Sequence, residues 1–197
     1  MPPLPLANQY FLMRHGTSEA NEQQLIVSDP IHGCRDYGLS ENGRQGLQEN
    51  EARLRQKLAN LDFIFCSDFR RTMETAQFVG NLFGMEPRTS IKLRERFFGQ
   101  FEKTSSDNYP RVWEEDRKNP EHRQWEVESV TDVAQRMTQL LESIESSSQG
   151  KVVLLVSHGD PLHILQTVQG DFPLKSHRDR PTFSPGQLQP LTRKAME

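Results

Sequence analysis

Apolar residues along the chain fall into short continuous runs that alternate with longer segments of helical spacing. Three of the runs are typical of strands buried on both faces of a sheet: Tyr10 to Met13, FIFC at residues 63–66 and VVLLV at residues 152–156. A weaker strand is predicted over Pro87 to Leu93, where a proline interrupts the pattern.

Four segments place apolar residues three or four positions apart, as amphipathic helices do. They are residues 40–61, 70–84, 129–145 and 160–170. Ser40 is the predicted N-cap of the first helix, and Gly84 is the predicted stop of the second. Strands that alternate with helices in this way predict a largely parallel sheet with helices on both faces.

The remaining segments are polar or rich in proline. Residues 99–128 combine charges with Tyr109, Trp113 and Trp125, and are predicted to run over the sheet as cover for the site. The chain from Asp171 onward is predicted to be irregular, with one short strand between Gly186 and Leu191 and frayed residues after it. The expected fold is therefore an α/β three-layer α/β/α sandwich with a largely parallel, mixed central sheet, as one domain over residues 1–197.

Composition narrows the function classes. The chain of 197 residues has a formal net charge of -3, so no general attraction to nucleic acid or to an anionic membrane is expected. Its two cysteines, Cys34 and Cys66, form neither a disulfide framework nor a zinc spacing. The prolines of MPPLPLANQ do not suit a signal peptide, and we expect a soluble cytoplasmic protein without a metal or other cofactor.

Candidate chemistry lies where the predicted strands end. Arg14 and His15 close the first strand, Arg71 begins the helix after the second, and His158 follows the VVLLVS run. Because parallel strands end at one edge of a sheet, these cations are expected to meet beside helix N-termini, which also favour negative charge. Phosphate suits such a cluster better than sulfate or a carboxylate, since arginine offers forked donors to two phosphate oxygens.

A histidine in such a cluster can attack phosphorus and accept the phosphoryl group, which needs no metal. A proton donor for the leaving oxygen is then required. Glu95, which follows the weak third strand, is the candidate acid, provided that burial or an anionic neighbour keeps it protonated near neutral pH.

Six segments carry a resemblance to a known family. They are RHGTSEAN, YGLSENGRQG, CSDFRRTMETA, LRERFFGQFEK, VESVTDVAQR and VVLLVSHGD. In sequence and in order they resemble the motifs of the histidine phosphatase superfamily, also called the phosphoglycerate mutase-like family. The third segment matches Arg71 rather than Arg70 to the family's arginine, and the fourth matches Glu95 to its acid.

The resemblance implies a role for each matched residue. His15 would be the nucleophile, with its tautomer fixed by the carbonyl of Gly16, and Glu95 would be the general acid and base. The phosphate pocket would be formed by Arg14, Ser18, Asn21, Arg71, His158 and Gly159. The implied substrate is a small phosphorylated metabolite or a phosphoprotein.

Several positions depart from the family pattern. Phe101, Lys103, Val127, Asp160 and Gly38 stand where other residues are usual, and Lys103, Val127 and Asp160 are expected near the cleft. The additional cations are Arg35, Arg94 and Arg96, which either meet a second anionic group of the substrate or lie on the solvated surface. His163 is expected to be a packing or surface residue.

Three alternatives to phosphate ester hydrolysis are also compatible with these residues. The first is mutase-type transfer, but the segment from Glu95 to Glu128 is short and has no adjacent arginine pair to hold phosphoglycerate, so a phosphatase is favoured. A protein that only binds a phosphorylated ligand is the second. The third is a metal hydrolase using His15, His158 and Asp160, whose ligand spacing is poor.

Overall fold

The computed structural model describes residues 2–192, and these form a five-stranded sheet with helices on both faces. The strands are β1 (Gln9–Arg14), β2 (Phe63–Cys66), β3 (Arg88–Thr89), β4 (Val152–Ser157) and β5 (Leu188–Pro190). Their spatial order is β3-β2-β4-β1-β5, and all neighbouring pairs are parallel except β1 with β5. The predicted α/β sandwich with a largely parallel, mixed sheet is confirmed.

Eight α-helices connect or flank these strands in the described residues. They are α1 (Glu19–Glu22), α2 (Pro30–Gly33), α3 (Glu41–Glu49), α4 (Glu51–Lys57), α5 (Arg70–Phe83), α6 (Tyr109–Lys118), α7 (Val130–Ser147) and α8 (Gly159–Gln169). Short 3-10 turns lie at Ile91–Leu93, Gly99–Phe101, Ser106–Asn108, Gln124–Glu126 and Leu174–Asp179. None of the helices in the described range is long and apolar enough to pass through a lipid bilayer.

The core consists of one apolar layer on each face of the sheet. Successive strand residues point to opposite faces, so Leu12 packs with α7 and α8, whereas Met13 packs with α3, α4 and α5. Because both faces are covered, the central strands need continuous apolar runs, which is why the sequence pattern revealed them. A third cluster around Phe98, Phe101 and Val112 lies under the excursion at residues 99–128.

The prediction of one continuous helix over residues 40–61 is wrong, because the structure has two helices there. Ser40 caps α3 as expected, since its Oγ accepts a hydrogen bond from the Gly43 amide, but the helix ends at Glu49. Asn50 separates α3 from α4, and its Nδ2 donates to the carbonyl of Gly46 at 2.8 Å. A side chain that bonds nearby backbone in this way competes with the helical pattern.

The weaker predictions have mixed outcomes. The strand expected over Pro87 to Leu93 shrinks to Arg88–Thr89, because the Ser90 side chain caps a 3-10 turn immediately after it. Gly84 ends α5 in the left-handed conformation, as predicted. The late strand is confirmed at Leu188–Pro190, while the predicted fraying falls on residues 193–197, outside the described part of the chain.

Candidate active site

The carboxyl ends of β1, β2 and β4 lie side by side at one edge of the sheet. Arg14 is in register with Ser157 of β4, and Cys66 of β2 is in register with Val156. The residues that follow these strands are therefore brought together, as the sequence predicted. They include His15 after β1, Arg71 in the first turn of α5 and His158 as the N-cap of α8.

The His15 ring is held in one orientation, and one of its two nitrogens is unprotonated. Its ring Nδ1 lies 2.7 Å from the carbonyl oxygen of Gly16, and its Nε2 accepts a hydrogen bond from Arg71 Nε at 3.1 Å. A carbonyl can only accept, so Nδ1 carries the proton and Nε2 the lone pair. Burial, followed by the charges of Arg71 and Arg14, keeps the pKa of His15 well below its usual value.

Arg71 contacts both histidines of the site. Besides its bond to His15, its Nη2 donates to the carbonyl of Val27 at 3.0 Å and lies 3.0 Å from His158 Nδ1. Because a guanidinium can only donate, His158 Nδ1 accepts and its Nε2 carries the proton. Burial, together with the charge of Arg71, keeps the pKa of His158 well below its usual value, so this ring is neutral.

Three buried side-chain nitrogens of the site have no hydrogen-bond partner among the described residues. They are Arg14 Nε, Arg71 Nη1 and His158 Nε2. Buried donors are nearly always paired in folded proteins, and each unpaired one costs free energy. Three of them on immediate neighbours of His15 are expected of a site that receives an anion with several oxygens.

Glu95 lies two residues after the 3-10 turn at Ile91–Leu93, with only 10% of its side chain exposed. Its Oε1 accepts a hydrogen bond from the Arg96 amide at 3.0 Å, and its Oε2 is 3.9 Å from His158 Nδ1. Burial and then the charge of Asp160 raise the pKa of Glu95 to about 7, although Arg71 and Arg14 oppose the shift. A carboxyl with that pKa can both give and take a proton near neutral pH.

The other predicted phosphate ligands are placed differently from one another. Asn21 and Gly159 line the cavity beside the site, and a Cβ on Gly159 would lie 3.9 Å from the Arg14 guanidinium. Ser18 does not line it, because its hydroxyl caps α1 and donates to Asn21 Oδ1 at 3.0 Å. Ser18 therefore positions Asn21, whose amide oxygen is engaged and whose nitrogen is left for a ligand.

A cavity of about 400 Å³ opens above these groups. Its walls are formed by Arg14, Asn21, Glu95, Phe98, Ser106, Tyr109, Trp113, Gly159, Asp160, His163, Arg178 and residues 182–185. His15, Arg71 and His158 are not among the lining residues and are each no more than 3% exposed, while Arg14 and Gly159, which adjoin His15 and His158 in the chain, do line the cavity. The volume suits a small phosphorylated molecule.

The sequence anticipated part of this wall. Trp113 was expected as cover for the site and does line the cavity, where it stacks with Tyr109 at a distance of 5.3 Å between ring centroids. Trp125 was expected to cover the site, but it packs against Phe101 away from the cavity. Arg178 comes from the segment that was predicted to be irregular, where no pattern marked it.

The expectations for Lys103 and Val127 have different outcomes. Lys103 is exposed and does not line the cavity, so its expected place near the cleft is wrong. Val127 is buried in the apolar cluster under the excursion and lines a second cavity, which it shares with Glu95. Asp160, the third departure from the family pattern, does line the cavity above the site. His163 is confirmed as a buried packing residue, but it also forms part of the cavity wall.

The additional arginines do not form a second anion site. Arg96 is fully buried and makes a bidentate bond to Asp116 at 2.7 and 2.8 Å, which neither expectation for it had foreseen. Arg94 pairs with Asp68, and Arg35 is exposed. Of the three, none lines the cavity above the site.

Asp160, the carboxylate that the metal-hydrolase alternative requires, is engaged by other side chains. Asp160 accepts hydrogen bonds from Arg178 at 3.0 Å and from Trp113 Nε1 at 3.1 Å. Within residues 2–192, no group of three or more histidine, cysteine, aspartate or glutamate side chains is arranged to hold a metal ion.

Comparison with known proteins gives relatives of two kinds. A "Probable phosphoglycerate mutase GpmB" of Photorhabdus laumondii is 34% identical over 181 residues, which cover 87% of this chain and 78% of the relative. Among solved structures, a mycobacterial glucosyl-3-phosphoglycerate phosphatase superposes with a TM-score of 0.77 at 22% identity, covering 92% of this chain and 88% of the other. A phosphoserine phosphatase from Entamoeba histolytica, solved with 3-phosphoglyceric acid, has a TM-score of 0.73 at 21% identity and covers 93% and 89%.

The two structural neighbours support the fold, and the sequence supports the family. The pattern of the histidine phosphatase superfamily (branch 1) matches residues 10–194, a range that contains all six motifs. Together with the arrangement of His15, Arg71 and His158, this match shows that the chain belongs to the histidine phosphatase superfamily.

Proposed function

We propose that the protein is a metal-independent phosphatase that hydrolyses phosphomonoesters through a phosphohistidine on His15, with Glu95 as general acid and base. One observation carries the proposal: three neighbours of His15, whose Nε2 holds a lone pair, have unpaired buried donors. They are Arg14, which precedes it in the chain, Arg71, which is bonded to it, and His158, whose ring centroid lies 5.2 Å from that of His15. A phosphoryl group bound to those donors places its phosphorus next to a neutral, oriented nucleophile.

In the first step, the bond from Arg71 Nε to His15 Nε2 is exchanged for a bond to a phosphate oxygen, which releases the lone pair. His15 Nε2 then forms a bond to phosphorus, and the ester bond from phosphorus to the leaving oxygen breaks. Glu95 gives its proton to that oxygen, so the alcohol departs neutral. The Gly16 carbonyl stabilises the proton on Nδ1 as the ring becomes positively charged.

In the second step, Glu95 takes a proton from water as the water oxygen attacks phosphorus. The bond from phosphorus to His15 Nε2 breaks, and inorganic phosphate leaves. The same carboxyl thus serves as acid and then as base, which its pKa of about 7 allows. The arginine charges stabilise the equatorial oxygens in both steps.

Hydrolysis is favoured over mutase-type transfer because the cations of the excursion at residues 99–128 lie outside the cavity. Arg111 lies over the rings of Phe101 and Trp125, while Arg117 pairs with Asp179 at the surface. No lysine or arginine of that segment is among the residues that line the cavity. The name of the Photorhabdus relative supports phosphoglycerate mutase as the second candidate.

The experiment is hydrolysis of p-nitrophenyl phosphate in excess chelator by the wild type, His15→Asn and His32→Asn. His32 is a matched control because it lies outside the cavity, where it pairs with Asp36. We expect turnover to survive the chelator, to disappear in His15→Asn and to remain in His32→Asn. Loss of wild-type activity with the chelator, or activity in His15→Asn, would contradict the proposal.

A wild type that binds phosphate but hydrolyses no ester would instead support a binding protein. Wild type that interconverts phosphoglycerates and releases no phosphate would support the mutase alternative.

A further inference from the structure

The wall of the cavity contains a charged pair, formed by Asp160 and Arg178. Arg178 Nη1 donates to Asp160 Oδ1 at 3.0 Å, and the same nitrogen lies 2.9 Å from His163 Nδ1. The guanidinium carbon is 3.8 Å from the centre of the Trp113 ring, so this ring covers one face of the cation. Arg178 is therefore engaged through one guanidinium nitrogen and on one face by groups of the protein.

Asp160 compensates the charge of Arg178 at every ordinary pH. Burial opposes ionisation of Asp160, but Arg178 and its other cationic neighbours outweigh it and lower the pKa to about 2. Arg96 lies behind the pair, 3.4 Å from Asp160, and is itself matched by its bidentate bond to Asp116. These two arginines and two aspartates have a formal charge sum of zero.

Apart from Asp160, Arg178, Arg14 and Glu95, the residues that line the cavity are uncharged near neutral pH, and they include aromatic as well as polar side chains. Burial, followed by Arg178, lowers the pKa of His163 to about 4, so its ring is neutral near neutral pH. Ser106, Thr182 and Ser184 also line the cavity and can supply hydroxyl groups. Arg14 and Arg71 form no ion pair with another described residue, whereas Arg178 does.

From this division of charge we propose that the Asp160 and Arg178 pair selects phosphomonoesters of neutral polyols or sugars and discriminates against phosphorylated hydroxy acids. The inference rests on the proposed phosphatase function and names its substrate class. A carboxylate on the leaving group would be taken from water without a free cation to receive it, and Asp160 would repel it. Hydroxyl groups would find partners among the uncharged residues of the wall.

The test compares glycerol 3-phosphate with 3-phosphoglycerate as substrates of the whole protein. Both are esters of a primary alcohol on a three-carbon chain. They differ only at the other end of that chain, where glycerol 3-phosphate has a hydroxymethyl group and 3-phosphoglycerate has a carboxylate. The ratio of their kcat/KM values therefore cancels effects on the shared chemical step. We expect the wild type to prefer glycerol 3-phosphate by about tenfold or more, because an unpaired buried carboxylate is strongly disfavoured.

Charge variants make the test specific to the pair. Asp160→Asn keeps the size of the side chain and frees the Arg178 charge, so the preference should fall by about tenfold or reverse. Arg178→Gln leaves Asp160 uncompensated, so the preference should rise. The double variant restores neutrality and should return within about threefold of the wild-type ratio.

Arg117→Gln is the matched control, because Arg117 forms an exposed pair with Asp179 outside the cavity and should leave the ratio unchanged. A wild type that prefers 3-phosphoglycerate, or a ratio that is equal in Arg178→Gln, wild type and Asp160→Asn, would overturn the inference. If Asp160→Asn fails to fold, Arg178→Gln and the double variant decide the matter. Failure to hydrolyse either ester or p-nitrophenyl phosphate would overturn the phosphatase function itself.

Discussion

The pKa of Glu95 predicts how hydrolysis of an alkyl phosphate depends on pH. Burial and the charge of Asp160 raise that pKa to about 7, so the carboxyl is about half protonated at about pH 7 and about one-tenth protonated one unit higher. An alkoxide leaves poorly without a proton, so kcat/KM should fall about fivefold over that unit and about tenfold for each further unit. The pKa of His15 is held well below its usual value, so the nucleophile stays neutral throughout this range.

Glu95→Gln removes the acid with little change in size. For glycerol phosphate, kcat/KM should fall by about 10² to 10⁴, the usual contribution of a general acid. For p-nitrophenyl phosphate the loss should be much smaller, because its leaving group departs as a stable anion. The limb near pH 7 should also disappear from the profile of this variant.

The assay is phosphate release for both esters, measured across about three pH units in wild type, Glu95→Gln and Asp160→Asn. Removing the negative charge of Asp160 favours the ionised form of Glu95, so the alkyl-ester limb should move to lower pH in Asp160→Asn. Equal losses for both esters in Glu95→Gln, or an unchanged limb in Asp160→Asn, would refute the reasoning.

Two further predictions concern stability. Arg96→Met should lower the free energy of unfolding by about 3–5 kcal/mol in urea titrations, because it leaves the buried Asp116 without its cation; a loss below about 1 kcal/mol, typical of exposed pairs, would contradict this. Burial and Arg178 lower the pKa of His163 from 6.5 in the unfolded chain to about 4 in the folded protein. As the pH falls from 6.5 to about 4, the unfolded chain therefore takes up a proton that the folded protein does not, and about 3 kcal/mol of the free energy of unfolding is lost. His163→Gln should lack this part of the acid destabilisation, and an unchanged dependence of unfolding on pH would count against it.

The sheet and the reactive centre were predictable because local sequence marks them. β1, β2 and β4 are buried on both faces and must be continuously apolar, and the parallel arrangement brings His15, Arg71 and His158 to one edge. The break between α3 and α4 was missed because the helical spacing of apolar residues continues across Asn50, where the structure shows the side chain bonded to the Gly46 carbonyl.

Trp113 and Asp160 were expected near the cleft, but their contacts with Arg178 could not be predicted, since they depend on tertiary packing. Trp113 from α6 meets Asp160 of α8 and Arg178 of the late 3-10 turn, three elements separated widely in sequence. Arg96 illustrates the same limit: an arginine beside Glu95 suggested a ligand or a solvated side chain, whereas Asp116, 20 residues away, makes it a buried structural cation.

The most direct test of the account is to capture the phosphoenzyme. Wild type, His15→Asn and His158→Asn would be mixed with a labelled phosphomonoester, quenched within milliseconds under alkaline conditions that preserve phosphohistidine, and mapped by peptide mass spectrometry. We predict label on His15 in the wild type, at a rate of formation no slower than turnover, and none at that peptide in His15→Asn. Turnover with no labelled enzyme, or label that persists in His15→Asn at another residue, would contradict the central claim.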